Sequence, residues 1–366
     1  MEGIHKATRN GGFFLCAKER AACRQNRPMH TRLTRQFQLH HPLVLAPMAL
    51  ASGGALAAAC ARAGALGLVG GGYADLTWTQ REYQEALRLC AGDAPTLARL
   101  GVGFITWKLD ENASALDWVL DLSPAERPRA VMLSFGDART YAPRIARSGA
   151  QLICQIQRLD QLAQAIEAGA QVIVAQGGEA GGHGMNALNG RATLTLVPEV
   201  ADWLAQHAPQ VLLLAAGGIA DGRGLAAALA LGADGALVGT RLWATQESLA
   251  PMGARQQSLR TNGDDTARTE VFDILRRKNW PAPYDFRAIR NDLHRAWEDR
   301  LDALRSNPDA ARADYDAGVK AGDFTRAHAT VGEAVGLLHD LPGAAEVIER
   351  MTREASAVIQ QLNRVA

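Results

Sequence analysis

Cysteine, net charge and long apolar runs are all scarce in this chain of 366 residues. Its five cysteines (Cys16, Cys23, Cys60, Cys90 and Cys154) are widely scattered and form no C-x-x-C pair. That argues against a disulfide scaffold, offers no metal site, and suits a reducing, cytoplasmic compartment. The formal net charge is +1, with few charge runs, which counts against nucleic acid or a membrane surface as partner. No apolar stretch is long enough to cross a bilayer. No G-x-G-x-x-G follows the first candidate strand, so an open dinucleotide-binding sheet is disfavoured. What remains is ample for a large core: 48% of the residues are hydrophobic and 21% charged, the mix of a globular protein.

Residues 1–28 are polar and basic and lack the apolar centre of a secretory leader. They are expected to be a disordered extension, with the folded part opening at Met29. From His41 onward, short runs rich in Val, Leu and Ile alternate with helical patterns. The strand candidates are LVLAP (43–47), LGLVG (66–70), LGVGFI (100–105), AVMLSF (130–135), QLICQI (151–156), QVIVAQ (171–176), VLLLAA (211–216) and GALVGT (235–240). Helical patterns such as GALAAACARAG lie between them and close on glycines suited to left-handed caps. Strands apolar on both faces imply a parallel sheet covered by helices. Eight such units predict an α/β fold, a (β/α)₈ TIM barrel over residues 29–245. The more charged segment 246–329, with Trp280, Pro281, Pro283, Tyr284 and Trp297, reads as a small, mostly helical lid inserted after strand 8. In residues 330–366, Val347, Met351, Ala355 and Ile359 fall at helical spacing, a stripe expected to pack back on the barrel.

Catalysis in such barrels sits at the C-terminal strand ends. Strand 6 runs into AQGGEAGGHGM, where five glycines surround one carboxylate, Glu179, and one imidazole, His183. Strands 7 and 8 end in Gly217-Gly218 and Gly239-Thr240, the second ahead of RLWATQES and the first ahead of DGRGLAAALALG. Backbone N–H groups at such helix starts make an anion site, and these two loops commonly bind phosphate. Glycines that serve only tight turns are the competing account.

The segments PLVLAPM, AQGGEAGGHG, AAGGIADGRGLAAALALGADGALVGTRL and ES resemble the nitronate monooxygenase family, formerly called 2-nitropropane dioxygenases. The resemblance runs from about residue 40 to 248 and more loosely through VGEAVGLLHD. It implies an FMN-dependent barrel in which a nitronate is oxidised by O₂ to a carbonyl compound and nitrite. Residue by residue, Ala46, Pro47 and Met48 match the motif along the flavin ring. Gln176, Gly181 and Gly182 match the loop flanking it. Gly217, Gly218, Gly239 and Thr240 match the phosphate cradle, Ala216 is a further cofactor-binding position, and His183 matches the catalytic histidine. Gln155 stands where some relatives carry a lysine near the pyrimidine edge, and a neutral amide stabilises a reduced, anionic flavin less. The implied partners are a small nitronate such as propionate 3-nitronate and O₂, acting on a monomer or homodimer.

Other polar residues have plainer readings. Glu179 either orients His183 or accepts hydrogen bonds within its own loop, and the second is favoured. Asp221 and Asp234 read as a helix-start and a turn residue. His40, His41, His207, His294, His328 and His339 read as surface or packing histidines. Trp107 walls the pocket or fills the barrel top, and Lys108 reads as solvated surface. Two further functions stay open beside nitronate oxidation: an FMN-dependent NAD(P)H oxidoreductase of quinone reductase or enoyl-ACP reductase type, and a non-enzymatic flavin- or phosphate-binding module.

Overall fold

A computed structural model describes residues 29–364, so the expectation for residues 1–28 lies outside the described residues. Among the described residues there are eleven strands: β1 (Leu43–Leu45), β2 (Gly67–Gly72), β3 (Leu100–Ile105), β4 (Ala130–Ser134), β5 (Gln151–Ile156), β6 (Val172–Gln176), β7 (Gly182–Met185), β8 (Leu212–Ala216), β9 (Gly235–Val238), β10 (Thr266–Thr269) and β11 (Tyr284–Ile289). Eight of them form a parallel sheet in the order β1-β9-β8-β6-β5-β4-β3-β2. The seam between its edges is closed by a bridge from Val44 to Leu66, with the Leu45 N–H on the Leu66 carbonyl at 2.9 Å. The fold is therefore the TIM barrel anticipated from the eight apolar runs.

The period of two along each strand decides what the barrel encloses. One face of every barrel strand except β3 supplies an interior cluster that includes Val44, Leu68, Met132, Ile153, Val174, Leu214 and Leu237. The other face, including Leu45, Val69, Val102, Leu133, Cys154, Ile173 and Val238, packs under the surrounding helices. Continuing the interior face by two residues reaches Ala46, Gln155, Gln176, Ala216 and Gly239, so those residues form the floor of the C-terminal mouth. The opposite end is plugged by the helix Arg32–Phe37, whose Leu33 and Phe37 are buried in the interior cluster. That helix is tied down by Arg32, which donates to both Asp234 carboxylate oxygens at 2.7 Å.

The C-terminal helix Ala344–Leu362 buries Val347, Ile348, Met351 and Ala355 against the barrel, as the spacing predicts. Helices predominate after β9, but the helical reading missed two strands. β10, β11 and β7 form a three-stranded antiparallel sheet, and β11 pairs with β7 so that Phe286 lies opposite His183. This segment has its own apolar cluster, built on Phe272, Leu275, Phe286, Leu293, Leu304 and Tyr315. Among the described residues, no helix is long and apolar enough to cross a membrane.

Candidate active site

The glycine-rich segment after β6 is held mainly by protein. Arg268, from β10, donates to the carbonyls of Gly178 (3.2 Å), Ala180 (3.0 Å) and Gly182 (3.4 Å), and to the Asp285 carboxylate at 3.0 Å. Glu179 accepts from the backbone N–H and the hydroxyl of Thr193, both at 2.9 Å, which fixes the start of the helix Thr193–His207. Its role is structural, and it does not reach His183. The glycines answer largely to these neighbours. A Cβ would come within 2.1 Å of the Thr193 hydroxyl at Gly177, 2.4 Å of the Val331 backbone at Gly181 and 2.6 Å of the Arg268 guanidinium at Gly184. At Gly178 and Gly182 the nearest atoms are 3.5 Å and 3.7 Å away. Three of the five glycines therefore clear space for neighbouring protein, and of these only Gly184 faces the segment 246–329.

His183 is enclosed on nearly every side. Its Nε2 lies 3.0 Å from both carboxylate oxygens of Asp273, which sits in the short helix Val271–Leu275. The Trp280 indole stacks flat on one face of the imidazole, with centroids 3.4 Å apart and planes 11° apart. The Phe286 ring lies 4.8 Å away, tilted by 51° to the imidazole. The two side chains of the dyad are 8% and 6% exposed. With one ring face stacked and Nε2 committed, Nδ1 is the ring nitrogen left for chemistry. Trp280 is itself boxed by Tyr73, whose hydroxyl accepts from its Nε1 at 3.1 Å, and by Trp107, Phe135 and Tyr284 at 5.5, 5.0 and 6.2 Å. Phe135 holds a φ of +64°, a strained conformation for a bulky residue, costing roughly 1–2 kcal/mol. That strain aims its ring into the box.

Burial sets the charge state of the dyad. Desolvation, helped by the nearby Arg276 and Arg268, holds His183 well below its ordinary range, so it is neutral at physiological pH. Desolvation pushes the Asp273 carboxyl up to about 7, although Arg276 opposes it. Protonated Asp273 donates to Nε2, and the imidazole proton then sits on Nδ1. Ionised Asp273 requires the proton on Nε2, and Nδ1 becomes a lone pair. The state of Asp273 thus decides whether Nδ1 is a donor or a base.

The same burial carries a stability consequence with a definite sign. Because the folded pKa of Asp273, about 7, exceeds the unfolded value of about 3.9, folding disfavours the carboxylate. Stability falls as pH rises between those values and stays lower above them. Asp273→Asn should therefore be more stable than the parent at about pH 8, by up to about 4 kcal/mol, with no gain at about pH 4. Urea unfolding of both proteins at the two pH values checks this. Equal differences at both would mean that Asp273 is not the titrating group.

At the mouth, the Gln176 side-chain oxygen accepts from Gln155 and from Gln157, each at 3.0 Å, while its amide donates to the His183 carbonyl at 3.2 Å. This relay joins the β5 and β6 ends to the backbone that carries the imidazole. Gln155 also lines a cavity of about 200 Å³ with Phe135 and Tyr284. Ala46, Pro47 and Met48 are half-buried at the end of β1. At the ends of β8 and β9, Gly217 and Gly218 have φ of +102° and +73°. A Cβ on Gly218 would meet only Glu179, at 3.7 Å, and one on Gly239 only Ala46 and Met48, at 3.8 Å. These two positions form an open cradle. One part of the phosphate expectation does not hold. The helix Gly222–Ala230 has its first N–H groups taken by Asp221 and Glu354, and their carboxylates would repel an anion there. Gly332 donates to the Thr240 hydroxyl at 2.8 Å, which ties the C-terminal segment to the β9 end.

The structure gathers His183, Gln155, Gln176 and Ala46–Met48 at one mouth and adds residues that the sequence did not single out. Asp273, Arg276, Tyr73, Phe135 and Gln157 are the chief ones. A carboxylate set inside the apolar run EVFDIL was the available signal for Asp273. Trp107 belongs to the box, and Lys108 pairs with Glu111 at 2.7 Å over the Trp107 ring. His328 is a core histidine bonded to the Tyr315 hydroxyl at 2.7 Å.

The nitronate monooxygenase family model matches residues 110–354. Nitronate monooxygenase npaC of Metarhizium robertsii is 34% identical over 346 residues, covering 87% of this chain and 92% of that one. FabK from Thermotoga maritima superimposes with a TM-score of 0.75 at 26% identity, over 92% of this chain and all of that one. Nitroalkane oxidase from Streptomyces ansochromogenes superimposes with a TM-score of 0.70 at 25% identity, over 90% and 99%.

Proposed function

Because this chain belongs to the nitronate monooxygenase family of oxidoreductases, we propose that it oxidises alkyl nitronates such as propionate 3-nitronate with O₂, using FMN and releasing a carbonyl compound and nitrite. The observation that carries the reading is the buried Asp273–His183 pair, which leaves one imidazole nitrogen available at the wall of an aromatic box. The open positions at Gly218 and Gly239 suit a cofactor with a single terminal phosphate. Ala46, Pro47, Met48, Gln155, Gln176, Gly181 and Gly182 would hold its ring, and Ala216, Gly217, Gly218, Gly239 and Thr240 its phosphate. FMN bound there supplies the electron relay between nitronate and O₂.

The remaining work belongs to the chain's own residues. Nδ1 of His183 donates to a nitro oxygen of the nitronate, or, with Asp273 ionised, takes the α-proton of a neutral nitroalkane. The box of Tyr73, Trp107, Phe135, Trp280 and Tyr284 keeps water from the reacting carbon. Residues 246–329 act as a lid over the barrel of residues 29–245, since they supply Asp273 and Trp280. The likeness to FabK supports a second reading, a reductase taking hydride from NAD(P)H. Anaerobic mixing separates the two. Propionate 3-nitronate should bleach the bound flavin rapidly and NADH slowly or not at all. Rapid, saturable bleaching by NADH alone would favour the reductase.

A further inference from the structure

Three arginines surround the His183 segment, and they differ in what their donors meet. Arg268 spends its guanidinium on backbone carbonyls and Asp285. Arg287 donates to the Gly178 carbonyl and Thr266, and pairs with Glu333 at 2.8 Å. Arg276 is different. It directly follows the helix that carries Asp273, and its guanidinium lies 4.7 Å over the Phe286 ring, the ring that flanks His183. Its side chain is only 14% exposed, and its Nη1 is 3.9 Å from Asp273, beyond hydrogen-bond reach. Among the described residues that buried Nη1 meets no acceptor. A buried cation with an unused donor beside a reactive imidazole is costly unless an acceptor completes it.

We propose that Arg276 is the oxyanion-binding residue of this site, its planar fork taking the two oxygens of a nitro or nitronate group that His183 also addresses, at a nitronate oxygen or at the α-proton of a nitroalkane. The proposal rests on the nitronate reading and assigns a residue to it. A guanidinium matches a flat, two-oxygen anion better than an ammonium does, because two parallel N–H groups meet two coplanar oxygens. Phe286 holds the fork at one height relative to the imidazole, since both pack on its ring. Arg276 also faces the Tyr73 hydroxyl, the group that accepts from Trp280, so the same cation borders the aromatic box.

Two consequences follow for catalysis. A nitronate arrives already charged, so loss of Arg276 weakens its binding and raises KM. A neutral nitroalkane acquires the charge only as its proton leaves, so the same loss lowers kcat and changes KM little. The test titrates the holoenzyme with sodium nitrate, a planar oxyanion that is not turned over, following tryptophan fluorescence and the flavin spectrum. Wild type should bind nitrate saturably and competitively with propionate 3-nitronate. Arg276→Gln should raise the nitrate Kd and the nitronate KM by roughly 10- to 100-fold with unchanged flavin content, and Arg276→Lys should fall between. If Arg276 merely balances the charge of Asp273, Arg276→Gln will move the pH profile and leave nitrate affinity within about twofold of wild type, which overturns the proposal. Absence of saturable nitrate binding to wild type overturns it equally. Because nitrate binding needs no turnover, it scores Arg276 even if NADH proves to be the electron donor.

Discussion

A His183→Asn variant is expected to keep its FMN and to lose roughly 100- to 10,000-fold in turnover on any neutral nitroalkane it accepts. On the nitronate it should lose no more than about tenfold. The difference comes from what each substrate asks of Nδ1. A neutral nitroalkane needs a base for its α-proton, and an amide is no base. A nitronate has already lost that proton and needs only a donor to its oxygens, which an amide supplies. The wild-type pH profile should carry the signature of the partner. Because burial raises Asp273 to about 7, base-dependent turnover should climb as pH passes through that value, where Asp273 ionises and the proton settles on Nε2. Asp273→Asn should flatten the climb. Steady-state kinetics on both substrates across this range decide the matter. Equal losses on the two substrates together with lost flavin would reduce His183 to a packing residue, and wild-type turnover on both would remove it from the mechanism.

Gly239→Leu should yield colourless protein of native stability, with FMN affinity reduced by about 100-fold or more. Gly217 and Gly218 are poorer probes, since their positive φ means that any side chain there adds backbone strain. Gly239 is free of that complication. Its φ is −100°, and a Cβ there meets Ala46 and Met48 at an ordinary 3.8 Å. The first atom of an added side chain therefore has room in the protein itself, and the rest of the leucine competes with what the cradle holds. Two lost phosphate hydrogen bonds, at roughly 1.5–3 kcal/mol each for a charged acceptor, account for the expected weakening. Flavin release on denaturation and a binding titration of the apoprotein give the answer. Full FMN occupancy with unchanged affinity would place the phosphate elsewhere.

The barrel was legible in the sequence because its signal is local. Eight runs apolar on both faces, each followed by a helical pattern, satisfy a parallel sheet without long-range information. LGVGFI and QLICQI match β3 and β5 residue for residue, while LVLAP runs two residues past β1. The helix-start role of Asp221 and the packing stripe of the last helix were legible for the same reason, since both depend on neighbours within a turn or two. The strand ends likewise put Gln176 and Gly239 at the mouth, and the family resemblance added Gln155.

His183 could be singled out, but its chemistry could not, because the partners that set it come from far along the chain. Asp273 is 90 residues away, and it reaches the imidazole only because β11 pairs with β7 and folds a short helix against it. Local pattern showed that segment as charged helix, and its strands are too short and polar to announce themselves. The loop glycines looked like clearance for a ligand, yet Gly181 and Gly184 turn out to face Val331 and Arg268, residues that no window around them contains. Sequence alone determined the barrel, the mouth and the histidine. The tautomer of that histidine, the face it has lost to Trp280, and the arginine beside it whose Nη1 meets no acceptor among the described residues were decided by tertiary structure, because burial and long-range pairing fix charge and leave no trace in spacing.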